Sequence, residues 1–247
     1  MKLVSFVDGH VNEFPTVDDE ERCKDQSRVG IVLNDGSILD LEAAIRCFDI
    51  TWCYGTQPLS MQKFLDGLPQ SFELAKGVVA LHESSSSVEL ANEKAGDYLK
   101  SADSVTLLSP VPRPRSFRDG FAFRGHVESS CRQRGVDVKP EYDQFPVFYF
   151  SNHNSFKGDG VVRVEKDHCL RLDFELECAV VIGKMGRNIS CQDADKYIFG
   201  LSILNDFSAR TLQVRSLGLI VKRSSFPPFS LSLSLSLFFL GCVWHTL

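Results

Sequence analysis

The stretch RLDFELECAVVIGK, Arg171 to Lys184, decides how the second half of this chain is read. Acidic side chains stand at Asp173, Glu175 and Glu177, Phe174 and Leu176 lie between them, and Cys, Ala, Val, Val and Ile follow. This alternation has the period of a β-strand, in which successive side chains point to opposite faces. A strand here puts three carboxylates on one face and the apolar pair on the other. Such a face is either a solvated edge or the wall of a site that holds something positive. Alternation alone is common on half-exposed strands and leaves both readings open.

Outward from that strand, the chain of 247 residues, 43% hydrophobic and 24% charged, has a globular composition and the length of one large domain or two smaller ones. A net charge of -5, with basic residues scattered apart from CRQRG, excludes the electrostatic footprint of a nucleic-acid binder. The eight cysteines show neither CxxC spacing nor the density of a small secreted scaffold, so they read as free thiols in a reducing compartment. The start MKLVSFVDGH lacks the apolar core of a secretory signal and the Arg-rich character of a transit peptide, which makes a cytoplasmic location the default.

The first segment reads as short strands and turns: KLVSFV, then RVGIVLNDGSILDL, where Asn34-Asp35-Gly36 forms a hairpin turn between apolar runs. Helical spacing follows in LEAAIRCF and in SMQKFLDGLPQSFELAKGVVALHE, interrupted by Pro69. The prolines of LLSPVPRPRSFRDG force an extended path and set a boundary near Pro110. The expected domains are therefore a small α+β unit over 1–110, a β-rich unit over 111–213 and a tail over 214–247. That tail alternates Ser with Leu and carries no Asp, Glu, Lys or Arg after Arg223. Half of its central run is Ser, which argues against a membrane span; an aggregation-prone strand is a second reading. Composition favours a third, a translated CT repeat entered through a read-through splice donor, which makes the catalytic unit incomplete.

Four further pieces bear on the acidic strand. FRDGFAFRGHVES holds Asp119 and, seven residues on, His126; FPVFYFSNHN holds Tyr149; GLSILNDFSARTLQ holds Asp206 at the end of an apolar strand, then Arg210 and Gln213. Hard divalent cations select oxygen ligands, and carboxylates at the ends of neighbouring strands converge readily on one ion. Asp119, Glu175, Glu177 and Asp206 make such a set. Asp173, outside the Glu-x-Glu pair, reads as a solvated strand-end residue, and GKMGRN reads as a hairpin turn.

On DFELECAVVIGKMGRNIS, DADKYIFGLSILNDFSARTLQ and PVPRPRSFRD, the chain from about Leu108 to Gln213 resembles the fumarylacetoacetate hydrolase family, and its start resembles the smaller amino-terminal domain of some members. The resemblance implies a mainly β catalytic domain with some α, a mixed β-roll that is incomplete here, preceded by the small α+β domain. It further implies a homodimer, a Mg2+, Ca2+ or Mn2+ ion held by Asp119, Glu175, Glu177 and Asp206, His126 as catalytic base, and Arg134, Tyr149, Arg210 and Gln213 against a small oxo-acid. The implied activity is hydrolysis of carbon-carbon bonds in acylpyruvates or fumarylacetoacetate. The same cation and base also serve oxo-acid decarboxylation, hydration and isomerisation, and an inactive splice product that dimerises with an intact chain is the alternative from another class. The pattern departs from the family at Phe121, where a Tyr is expected, at Thr211 in place of Asp, and at Ser129, where smaller members pair the His with Glu. Neither nucleic acid nor membrane is an expected partner.

Overall fold

A computed structural model describes residues 1–11, 15–52, 58–85 and 96–213, the side chains of 85 and 167–169 excepted. The readings made for the 214–247 tail lie outside the described residues. The chain divides into two compact units, one of Met1–Pro114 with Phe156–Val162, the other of Arg115–Ser155 with the residues from Arg163 onward.

In the first unit the apolar runs become an antiparallel sheet. Strands β1 (Lys2–Asp8), β2 (Arg28–Val32), β3 (Ile38–Asp40), β4 (Leu99–Lys100) and β5 (Val105–Leu107) stand in the order β4-β3-β2-β1-β5. The β2–β3 turn is the one the sequence indicates. Gly36 adopts φ +86, Ser37 N–H bonds the Asp35 carboxylate, and Leu33 N–H closes on Ser37 O at 2.9 Å. Phe6, Ile38 and Val105 are buried together, flanked by Val4 and Val32, and each such side chain contributes roughly 1.5–3 kcal/mol by leaving water. Helices α1 (Val17–Gln26), α2 (Leu41–Cys47), α3 (Met61–Asp66) and α4 (Gln70–Ser85) complete the unit, with the break between α3 and α4 falling at Gly67–Pro69. A Thr16–Asp19 capping box starts α1.

The second unit consists, among the described residues, of two antiparallel ribbons and short helices. Strand β6 (Arg118–Gly120) pairs with β7 (Phe148–Phe150), and β8 (Leu172–Ile182) pairs with β9 (Ile198–Ala209). Helix α5 (Arg124–Arg134) ends at Gly135, whose left-handed φ of 66 stops it. The mixed strand and helix class is the one the sequence indicates.

Two local readings are corrected. GKMGRN is no tight hairpin turn: the β8–β9 connection runs from Gly183 to Tyr197 and includes a 3-10 segment at Cys191–Tyr197, closed by Gly183 N–H to Tyr197 O at 2.9 Å. Cys191 is disulfide-bonded, whereas Cys23, Cys47, Cys131 and Cys178 are free thiols. Spacing along the chain does not reveal a pairing that tertiary packing creates.

Candidate metal centre

The β8–β9 register sets the geometry. Glu175 lies directly opposite Asp206, Asp173 opposite Ser208 and Glu177 opposite Leu204. Opposed residues of an antiparallel pair share a face, so Glu175, Asp206 and the diagonal Glu177 converge. One carboxylate oxygen from each lies within 4.8 Å of the others. Asp206 is buried, and Glu175 and Glu177 are half-buried. The opposite face is the exposed one, with Phe174 65%, Leu176 77% and Ile203 80% accessible. The acidic face is thus the sheltered side of the ribbon, against the reading of a solvated edge.

Neighbouring carboxylates repel, and burial penalises each charge. Both effects are visible at Glu177. Burial first, then Asp119, Asp206 and Glu175, and a hydrogen bond with Glu175, push its pKa up to about 8. Asp119 is raised as well, by burial and by Glu175, against a lowering hydrogen bond from Tyr149 and the nearby His126. That places Asp119 in electrostatic contact with both the acidic face and His126. Its bond to Tyr149 follows from the β6–β7 register, in which the two residues are opposed.

The remaining candidates distribute unevenly. His126, in the first turn of α5, is exposed, and its ring meets Phe121 edge-on with centroids 4.7 Å apart. Phe121 also contacts Tyr142. Glu128, the acidic residue nearest in sequence to His126, is bound by Arg124 Nε at 2.9 Å, and Arg124 also pairs with Asp143. Arg134 reaches back to its own helix, to Ser130 O at 3.1 Å and toward Cys131 Sγ. Arg210 follows directly on the end of β9 and its side chain lies against the acidic residues of β8. Its Nε and Nη2 contact Asp173 Oδ2 at 2.9 Å, its Nη1 donates to Glu175 Oε1 at 2.5 Å, and the same Nη1 reaches Gln213 Oε1 at 3.2 Å.

Asp173 is exposed, as expected of a solvated strand-end residue, but it is also ion-paired with Arg210. The Phe174 N–H and Arg210 hold its carboxyl below the usual range. Only part of this was in the sequence, the alternation that puts Asp173 and Glu175 on one strand face; that Arg210 lies beside them follows from the register, which pairs Asp173 with Ser208.

With oxygen as the only donor and three carboxylates in one cluster, the set suits a hard divalent cation, and the upward shift of Glu177 reflects the burial and mutual repulsion that such an ion would relieve. No helix among the described residues is long and apolar enough to cross a membrane.

Residues 115–230 match the fumarylacetoacetate (FAA) hydrolase C-terminal domain, a span that runs past Gln213. The oxaloacetate tautomerase YisK of Bacillus subtilis is 29% identical over 194 residues, which cover 76% of this chain and 58% of that protein. The human mitochondrial oxaloacetate tautomerase FAHD2A is 33% identical over 115 residues, covering 46% of this chain and 34% of the relative. A solved structure described as an HpcE protein of Mycobacterium smegmatis shares the fold at a TM-score of 0.51 and 22% identity, over 76% of this chain and 55% of its own. The chain thus spans 58% of the Bacillus relative and 34% of the human one, and over residues 115–230 it is similar to the fumarylacetoacetate hydrolase C-terminal domain.

Proposed function

We propose that this chain carries a divalent-metal site for enolate chemistry on a small oxo-acid such as oxaloacetate or an acylpyruvate. The observation that carries the reading is the convergence of Glu175, Glu177 and Asp206 on the sheltered face of one ribbon, their ligand atoms within 4.8 Å. Those three would hold the ion, with Asp119 beside them. A Mg2+ or Mn2+ ion there would stabilise negative charge developing on a substrate oxygen. His126, in electrostatic reach of Asp119, would take and return a proton at the carbon between two carbonyls. Tyr149, through its hydroxyl on Asp119, orients that carboxylate, and Arg134 and Gln213 offer polar groups for the substrate's ends.

Keto-enol tautomerisation needs only this cation and one proton carrier. Two relatives are named oxaloacetate tautomerases, which favours it. Carbon-carbon hydrolysis is the second reading; it further requires a carboxylate that orients His126 toward water, and Glu128 is engaged by Arg124 instead. Both activities are tested on one sample. Purified protein with Mg2+ or Mn2+ is expected to accelerate loss of the enol absorbance of oxaloacetate, and Glu175→Gln with Glu177→Gln to abolish both that rate and ion binding by calorimetry. Release of pyruvate from an acylpyruvate at a comparable rate moves the assignment to hydrolysis. Unchanged ion affinity in the double variant removes the metal site altogether.

A further inference from the structure

We infer that Asp173 and Arg210 form a clamp that sets which divalent ion the acidic face accepts. The inference rests on the metal-site reading above. Its basis is the way three acceptors converge on one guanidinium: Nε and Nη2 lie on Asp173 Oδ2 at 2.9 Å, while Nη1 is shared between Glu175 Oε1 and Gln213 Oε1. Asp173 is fixed in turn by the Phe174 N–H, 2.9 Å from Oδ1. A planar fork held at both ends has one orientation, unlike an ammonium on a flexible stem.

The consequence falls on Glu175. With Oε1 drawn to Arg210 at 2.5 Å, that oxygen is the poorer of the two for a cation, and the clamp disfavours ligation by both atoms of Glu175 at once. Large ions such as Ca2+ gather six to eight oxygens and commonly take both atoms of a carboxylate. Small ions such as Mg2+ demand an octahedron, accept single oxygens and keep several waters. One-oxygen ligation by Glu175 therefore favours the smaller ion. The positive guanidinium beside the cluster also lowers the site's net negative charge, which weakens the larger, ligand-hungry ion most.

Asp173 is in this account a specificity-determining positioning residue, since it acts only through Arg210. Asp173→Asn keeps the shape but gives up the charge that anchors Nε and Nη2. Arg210→Lys keeps the charge but cannot bridge two carboxylates, so one substitution loosens the anchor of the guanidinium and the other removes its fork, and both weaken the fixed hold on Glu175 Oε1.

The experiment is isothermal titration of Mg2+ and of Ca2+ into wild-type protein, Asp173→Asn and Arg210→Lys, each first shown to have the wild-type far-ultraviolet spectrum. The expected result is that the ratio of Ca2+ to Mg2+ affinity rises roughly tenfold or more in both variants, with each ion still bound. A ratio within twofold of wild type in a variant that binds both ions overturns the clamp and leaves the metal site standing. Absence of binding of either ion by the wild type overturns the metal-site reading itself, and the clamp with it. Should one variant fail to fold, the ratio in the other decides.

Discussion

At Glu177 a carboxyl raised to about 8 keeps its proton at neutral pH, because burial and three acidic neighbours penalise its charged form. An ion that uses this oxygen must displace the proton. Metal affinity is therefore expected to fall about tenfold per pH unit below pH 8, with one proton released per ion bound, as calorimetry in buffers of different ionisation enthalpy would show. Glu177→Gln should abolish the proton release. The same shift acts on stability with a definite sign. The folded pKa lies above the unfolded value of 4.5, so the folded, metal-free chain binds the extra proton between the two. The stability it contributes is full below about pH 4.5 and is lost as pH rises through 8. Thermal midpoints of the metal-free protein should accordingly decline from pH 5 to pH 8, and Glu177→Gln should flatten that slope. At His126, substitution by Gln is expected to lower turnover by roughly 10²- to 10⁴-fold while leaving ion affinity in place, which separates proton transfer from metal binding.

At the scale of the element, strands and turns were legible where local chemistry dictates them. The period-2 run from Asp173 and the Asn34-Asp35-Gly36 turn both fold as read, since alternation and a glycine at positive φ act within a few residues. The convergence of Glu175 with Asp206 was also legible, as two acidic strand ends. What the sequence withheld depends on partners distant along the chain. Which ribbon face is sheltered and the bond of Cys191 are tertiary facts that no local pattern carries, whereas the capture of Glu128 by Arg124 is an i,i+4 helix pair that the spacing allows. Gly30 illustrates the same limit. It sits mid-strand in β2 with nothing local to require glycine, yet an added Cβ would lie 2.5 Å from Ile38 Cγ2 and 3.1 Å from Phe6 and Val4. Gly30→Ala is expected to cost about 1–3 kcal/mol by overpacking. Gly36→Ala meets no atom within 4 Å and should cost only about 1 kcal/mol, from its φ of +86. Denaturant midpoints of the two variants give the comparison.

At the scale of the molecule, the ribbon that shelters its acids turns its apolar side to solvent. Phe174, Leu176, Leu201 and Ile203 are each at least 65% accessible, and they share one face, because Phe174, Leu176 and Cys178 alternate with the acidic positions and Cys178 is paired with Ile203. A contiguous apolar face of this kind is unfavourable in water, and association that covers it removes roughly 25 cal/mol for each Å² buried. The same alternation that builds the metal face thus creates an adhesive one, and the two cannot be separated by shifting register, since a slip of one residue would exchange them. Self-association through this face is the expected behaviour. Leu176→Lys with Ile203→Lys changes only residues pointing away from the carboxylates, so it should lower the weight-average mass seen by light scattering at a given concentration and leave Mg2+ affinity within a factor of about two. Loss of metal binding in that variant would mean that association is needed to hold the acidic face together; an unchanged mass would mean that the chain associates through another surface or not at all.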